Sequence, residues 1–246
     1  KIYFVKLTAD KAMEFFDKKN KNEVILYFDN KVKDGKITYD NLSDDIKEFN
    51  TQTHGYFNFG YIDCTGEKNE KICLTNFKIK EYPSMYLYRP EKNNKERISK
   101  GIELPMQKND INREINSIFE PKIISANAFN FQNVLTESVQ KQKVIILYLF
   151  DTYIDLGFSL ITQNPLYSKI MDFIIMDNPV DEIKKQLQVK SLPFLGILIP
   201  DPNKKDANGN PARQVMSYTQ KITYSGLKSF FTESFKIPTP ESESVN

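Results

Sequence analysis

Tryptophan is absent from this chain of 246 residues, which also holds only two cysteines and one histidine. A zinc or other transition-metal centre needs three or four Cys, His or carboxylate ligands at close spacing. Cys64 and Cys73, with one remote His54, do not make such a set, so no metal is expected. Long apolar runs are missing as well. The longest are VIILYLF (144–150) and FLGILIP (194–200), far short of the roughly 18 residues that span a bilayer, and no direct membrane insertion is expected. Neither sign of charge dominates, because 34 Lys and Arg against 32 Asp and Glu leave +2. The bases are scattered in Lys/Asn clusters such as DKKNKNE and PEKNNKERISK, which give no concentrated field for nucleic acid. The chain also lacks a phosphate-cradling Gly loop, a Ser/His/Asp set and a cluster of candidate acids and bases, so no catalytic residue and no cofactor are expected.

What is present is a core-forming composition, 40% apolar and 13% aromatic, at a length that suits one large domain or two ordinary ones. The chain opens on Lys1 without an initiator Met, as a processed protein or an excised piece would. Its last residues, KIPTPESESVN, lack apolar periodicity, and 237–246 reads as a flexible tail.

Strand-like and helix-like segments alternate, and the alternation occurs twice. Residues 2–8 look extended, Thr8 can cap a helix bearing Ala12, Phe15 and Phe16 on one face, and EVILYFDN (23–30) reads as a buried strand. A helix is expected near 38–51 from Leu42, Ile46 and Phe49, then a strand over 56–63, a short helix over EKICLTNFKI, and strands over PSMYLYR and KERISKGI. Ile111, Ile115 and Ile118 predict a closing helix over about 105–119. In the second half PKIISANAF (121–129), NFQNVLTESVQKQ, KVIILYLFD (143–151), DFIIMDN (172–178), VDEIKKQLQV, SLPFLGILIPD, QVMSYTQ and SGLKSFFTESF answer these in order. Pro165 interrupts the helical spacing of 152–170 and leaves open the loss of a helix there. The Pro/Gly/Asn-rich segment 199–214 reads as a long hairpin connection. The reading is α/β, with domains at 1–120 and 121–236, each a mixed central sheet flanked by helices.

One stretch carries a resemblance. Asp63, Cys64, Thr65, Cys73, Phe77, Ile79, Tyr82 and Pro83 stand in an order similar to that of the thioredoxin-like domains of protein disulfide isomerases. The resemblance covers 5–119, and over 121–235 it rests on strand order, VIILYLF and the Leu192–Pro193 step. Two such domains in tandem also look like the luminal part of J-domain co-chaperones of the endoplasmic reticulum. The resemblance implies cis-prolines at Tyr82–Pro83 and Leu192–Pro193, either as part of a peptide-binding surface or as an architectural feature alone. It further implies that Cys64 and Cys73 form a structural disulfide, the alternative being two buried, reduced thiols. Active isomerase domains place Cys-x-x-Cys after the first core strand, where a helix N-terminus lowers the thiol pKa. Here those positions read FDNKVKDGK (28–36) and FDTYIDLG (150–157), without cysteine, so neither domain is expected to exchange disulfides.

Other residues receive plainer readings. His54 lies in the polar NTQTHGYF and reads as an exposed loop residue. Asp63 could match the buried acid of active relatives, a role that is empty without a thiol. Asp44, Asp45 and Glu48 read as a solvated helix face. Asn41-Leu42-Ser43 is a glycosylation sequon. A client-binding surface is expected to draw on Tyr82, Tyr86, Phe194 or Tyr153. The expected function is a non-catalytic module that binds unfolded polypeptide or a partner chaperone in the endoplasmic reticulum lumen or another secretory compartment; the alternative is a structural subunit of a stable assembly.

Overall fold

A computed structural model of the chain describes residues 1–18, 23–36, 38–90, 97–205, 209 and 211–235. The expected tail, 237–246, lies outside them. The chain divides into two compact units, one of Lys1–Ile118 with Thr223–Ser225, the other of Phe119–Ile222 with the described residues from Gly226 onward.

The first unit is organised by a strand that water does not reach. All six residues of β2 (Val24–Asp29) are buried. Alternation sends Val24, Leu26 and Phe28 to one face, where they meet Ala9 and Ala12 of α1 (Ala9–Lys18) and Cys73 of α3 (Gly66–Asn76). On the other face Tyr27 stacks on Tyr61 of β3 (Asn58–Asp63), and Phe49 of α2 (Asp44–Thr53) meets Phe59 edge-on. Strand β1 (Val5–Thr8) and β2 pair in parallel with β3, while β4 (Ser84–Pro90) and β5 (Arg97–Ile102) add antiparallel, giving the order β1-β3-β2-β4-β5. Helix α4 (Lys108–Ile118) closes the unit through Ile111 and Ile115.

The second unit repeats this plan. Strands β6 (Ile124–Ala126), β7 (Val144–Phe150), β8 (Met171–Asp177), β9 (Phe194–Lys205) and β10 (Pro211–Tyr218) lie in the order β10-β9-β7-β8-β6, the same sequence of roles read from the other edge. On one face Ile145, Leu147 and Leu149 of β7 pack with Phe131 of α5 (Phe131–Gln140) and Ile183 of α8 (Asp181–Gln186). On the other, Phe158 of α6 (Leu156–Ile161) stacks on Tyr148 with centroids 4.4 Å apart, and Phe231 of α9 (Tyr224–Phe235) meets Phe173 and Tyr167 of α7 (Pro165–Ile170). Among the described residues no helix is long and apolar enough to cross a membrane.

Several boundaries differ from the sequence reading. The helix expected over 38–51 is a 3-10 turn at Tyr39–Asn41, an extended Leu42 and then α2, because the Ser43 hydroxyl accepts from the Ile46 N–H at 3.3 Å and starts the helix there. Leu42 is buried all the same. The closing helix starts at Lys108, about three residues later than the apolar spacing implied. The strand expected over 121–129 is cut to three residues by the turn at Asn127. No helix is lost around Pro165: it occupies the first turn of α7, capped by the Asn164 side chain, and α6 precedes it. Most of 199–214 is strand, with β9 and β10 pairing from Leu195–Tyr218 out to Lys205–Pro211.

Phe158 tests whether α6 is integral to the second unit. Its fully buried ring rests on Tyr148 and Phe173, so Phe158→Ala is expected to lower stability to urea by about 3–5 kcal/mol. A loss under about 1 kcal/mol would mean that the helix only lies against the sheet.

Candidate functional site

Strand register brings the residues singled out in the first half of the sequence to one end of one sheet. Phe28 of β2 pairs with Ile62 of β3 and with Ser84 of β4. Asp29, Cys64 and Pro83 therefore all follow or precede the same rung, and the Cys64 N–H donates to the Asp29 carbonyl at 2.9 Å.

Cys64 and Cys73 are brought together in a disulfide, with Cα atoms 6.1 Å apart and both side chains buried. Closing this nine-residue separation stabilises the fold by about 2–3 kcal/mol on the loop-entropy account. Asp63 does not lie beneath a reactive group. Its Oδ1 accepts from the Thr65 N–H at 2.7 Å and the Thr65 hydroxyl at 2.6 Å, shaping the turn into α3.

The buried acid at this sheet end is Asp29, which the sequence reading did not single out. It is 1% exposed, and its carboxylate accepts from the Tyr61 hydroxyl at 2.7 Å and the Lys31 N–H at 2.9 Å. The second unit holds a comparable pair, where the Tyr148 hydroxyl donates to Asp155 Oδ2 at 2.8 Å and accepts from the Asp155 N–H at 3.1 Å. The available signal was an Asp at the end of one buried strand and shortly after the other, with a Tyr inside a buried strand of each half, Tyr61 in NFGYID and Tyr148 in VIILYLF. Burial, then the bond to Asp29, pushes the Tyr61 phenol well above its ordinary range. For Tyr148 burial comes first and the negative charge of Asp155 second.

The segment that carries the dithiol in active isomerases is here a plain turn. Lys33 and Lys36 exchange backbone hydrogen bonds around Asp34 and Gly35, both at positive φ, and Val32 is 48% exposed.

The Tyr82–Pro83 and Leu192–Pro193 bonds are both cis, as is Leu104–Pro105, which the sequence reading missed. Tyr82 and Pro83 are half-buried, Leu192 is half-buried and Pro193 is exposed. Beside Pro83 lies a cleft of ≈ 500 Å³ between the loop 78–84 and the residues 101–106, lined by Tyr86, Ile102, Leu104 and Met106 with Lys78, Lys80, Glu81 and Glu103 around them. Its floor is open because β5 has Gly101 opposite Tyr86: a Cβ there would stand 3.2 Å from the Tyr86 ring. Tyr153 is half-buried in the second unit, whereas Phe194, expected at a binding surface, is buried in that unit's core and unavailable.

Asn41 sits in the 3-10 turn, and its Nδ2 donates to the Lys31 carbonyl at 3.1 Å, so a sugar on this amide would compete with a bond inside the fold. His54 is not an exposed loop residue. It ends α2, is half-buried and stacks on Tyr3 with centroids 3.5 Å apart. Burial, reinforced by nearby Lys1, lowers its pKa from 6.5. Among the described residues no group of three or more His, Cys, Asp or Glu is placed to hold a metal ion.

No family model matches the chain, and no curated protein matches it by sequence. Solved structures do. Full-length ERdj5 superposes with a TM-score of 0.60 over 95% of this chain at 13% identity. A second ERdj5 crystal structure, form I, gives 0.59 over 95% at 12% identity. The fold is that of tandem thioredoxin-like domains. This chain spans only 33% and 30% of those two chains, and at such identity the likeness concerns the fold alone.

Burial holds the phenols of Tyr27, Tyr61, Tyr88 and Tyr148 well above their ordinary value of 10.0. Folding therefore favours the neutral form; the associated stability is complete below pH 10 and is lost as pH rises beyond it. An absorbance titration of the thirteen tyrosines is expected to show these four, and Tyr56, which burial raises likewise, ionising only together with unfolding. Ionisation of all thirteen near pH 10 with the circular dichroism unchanged would contradict this.

Proposed function

We propose that the chain is a non-catalytic pair of thioredoxin-like domains that holds extended polypeptide, either an unfolded client or a segment of a partner chaperone. The observation that carries this reading is the cleft beside Pro83, lined by apolar and charged side chains together, at the sheet end where active isomerases do their chemistry. The groups that would make that chemistry are replaced. Asp29 is committed to Tyr61 and Lys31, the neighbouring turn has no cysteine, and both cysteine sulfurs are buried in one bridge.

A groove without a thiol can bind a strand and let it go unaltered. Backbone groups beside the cleft pair with an extended segment, and the space over Tyr86 and Gly101 receives an apolar side chain. The endoplasmic reticulum lumen or another secretory compartment is the proposed setting. It is supported by the Cys64–Cys73 bridge, which persists where the surroundings are oxidising, and by the sequence resemblance to luminal co-chaperones.

Gly101→Leu separates this reading from that of a rigid subunit in a stable assembly, because the new side chain projects into the cleft from an exposed edge position. Fluorescence anisotropy with labelled, reduced and carboxymethylated ribonuclease is expected to show binding that Gly101→Leu weakens about tenfold, with the circular dichroism of the folded protein kept and stability lowered only as far as the Tyr86 ring must shift. Equal binding by both proteins, or none by either, would contradict the proposal.

A further inference from the structure

The turn after β6 presents an apolar ring to solvent. Phe129 is 98% exposed, while no other large apolar side chain among the described residues exceeds 51%. The backbone beneath it is fixed. Asn127 Oδ1 accepts from the N–H groups of Phe129 and Asn130 at 2.9 and 3.0 Å, and Asn130 Oδ1 accepts from the Asn127 N–H at 2.7 Å. An Asx turn of this kind accepts a polar residue at its exposed position with no loss of stability. A rigid backbone with a free aromatic ring is the arrangement of a preorganised anchor.

Register places this turn in company. Ala126 pairs with Met176, so 127–130 and 178–180 leave the same end of adjacent parallel strands, and Val180 is also exposed, at 41%. Phe150 pairs with Asp177, so 151–155 emerges at that end too and brings half-buried Tyr153. The segments 127–130, 151–155 and 178–182 contain no Lys or Arg. Asp151, Asp177, Asp181 and Glu182 are exposed there; the nearby bases are Lys190, entering β9, Lys185, in the last turn of α8, and Lys184, paired with Asp181 at 3.2 Å, three bases against four acids. The surface therefore combines a projecting apolar ring with a surplus of negative charge.

We propose that this end of the second unit docks a basic amphipathic segment of a partner protein, whose apolar face covers Phe129 and Val180 and whose Lys or Arg residues meet Asp151, Asp177 and Glu182. The site is separate from the cleft beside Pro83 and stands or falls independently of it. Desolvation of the ring supplies the attraction, and the carboxylates select the sign of the partner.

The test uses the full chain and two labelled helical peptides, each with one Leu face, the other face being Lys in one and Glu in the other. Wild type is expected to bind the Leu/Lys peptide about tenfold more tightly than the Leu/Glu peptide. Phe129→Ser, at an exposed position that leaves the fold intact, is expected to reduce Leu/Lys binding about tenfold, and Val180→Ser to reduce it less. The double variant Asp177→Asn, Glu182→Gln is expected to lose selectivity, while Gly101→Leu changes nothing. Equal binding of both peptides by wild type, or undiminished binding by Phe129→Ser, would overturn the proposal. So would self-association of wild type that Phe129→Ser abolishes, since the ring would then serve a second copy.

Discussion

A central strand buried on both faces is the constraint from which the rest of each unit follows. Neither β2 nor β7 can satisfy its apolar side chains with one layer of helix, so each unit needs helices on two sides and a neighbouring strand along each edge. The repeated order of strands, with two parallel neighbours and an antiparallel pair, is one way of meeting that demand twice within one chain. It also decides where function can sit. With both faces covered, the loops at the C-terminal ends of the parallel strands are the places where several segments converge.

At that end the two units answer the same problem with a tyrosine and a carboxylate. An acid pulled into the core by its strand would be costly without donors. Tyr61 and the Lys31 amide supply them for Asp29, as Tyr148 does for Asp155. These pairs hold the loops in shape, and none of these loops carries a Cys-x-x-Cys pair. The cleft beside Pro83 opens at the same sheet end, between the loop 78–84 and residues 101–106, and is the basis of the proposed polypeptide-holding role.

Much of the fold was legible because its signals are local and strong. VILYF and VIILYLF have the length and β-branched content of buried strands, and Ile111 and Ile115 mark a helix face by spacing alone. The misread boundaries turn on single side chains. Ser43 starts α2 six residues later than the apolar spacing implied, and Asn127 stops β6 early. At Pro165 the same residue type that ends helices begins one, because Asn164 caps it. The site was half legible. Cys64, Cys73 and Pro83 stood out by type and order, whereas Asp29 and Gly101 matter only through partners distant in sequence, Tyr61 and Tyr86. Phe129 could not be recognised, since an aromatic residue in a short apolar run is ordinarily core and its exposure depends on the turn around it.

Hydrogen exchange read by mass spectrometry, with and without an unfolded reduced protein, tests the central claim most directly, because it reports where on the chain a polypeptide is held. The account predicts slowed exchange in 78–86 and 98–106, the two segments that border the cleft beside Pro83, with no covalent adduct formed. Unchanged exchange in both segments while the unfolded protein is demonstrably bound would contradict it.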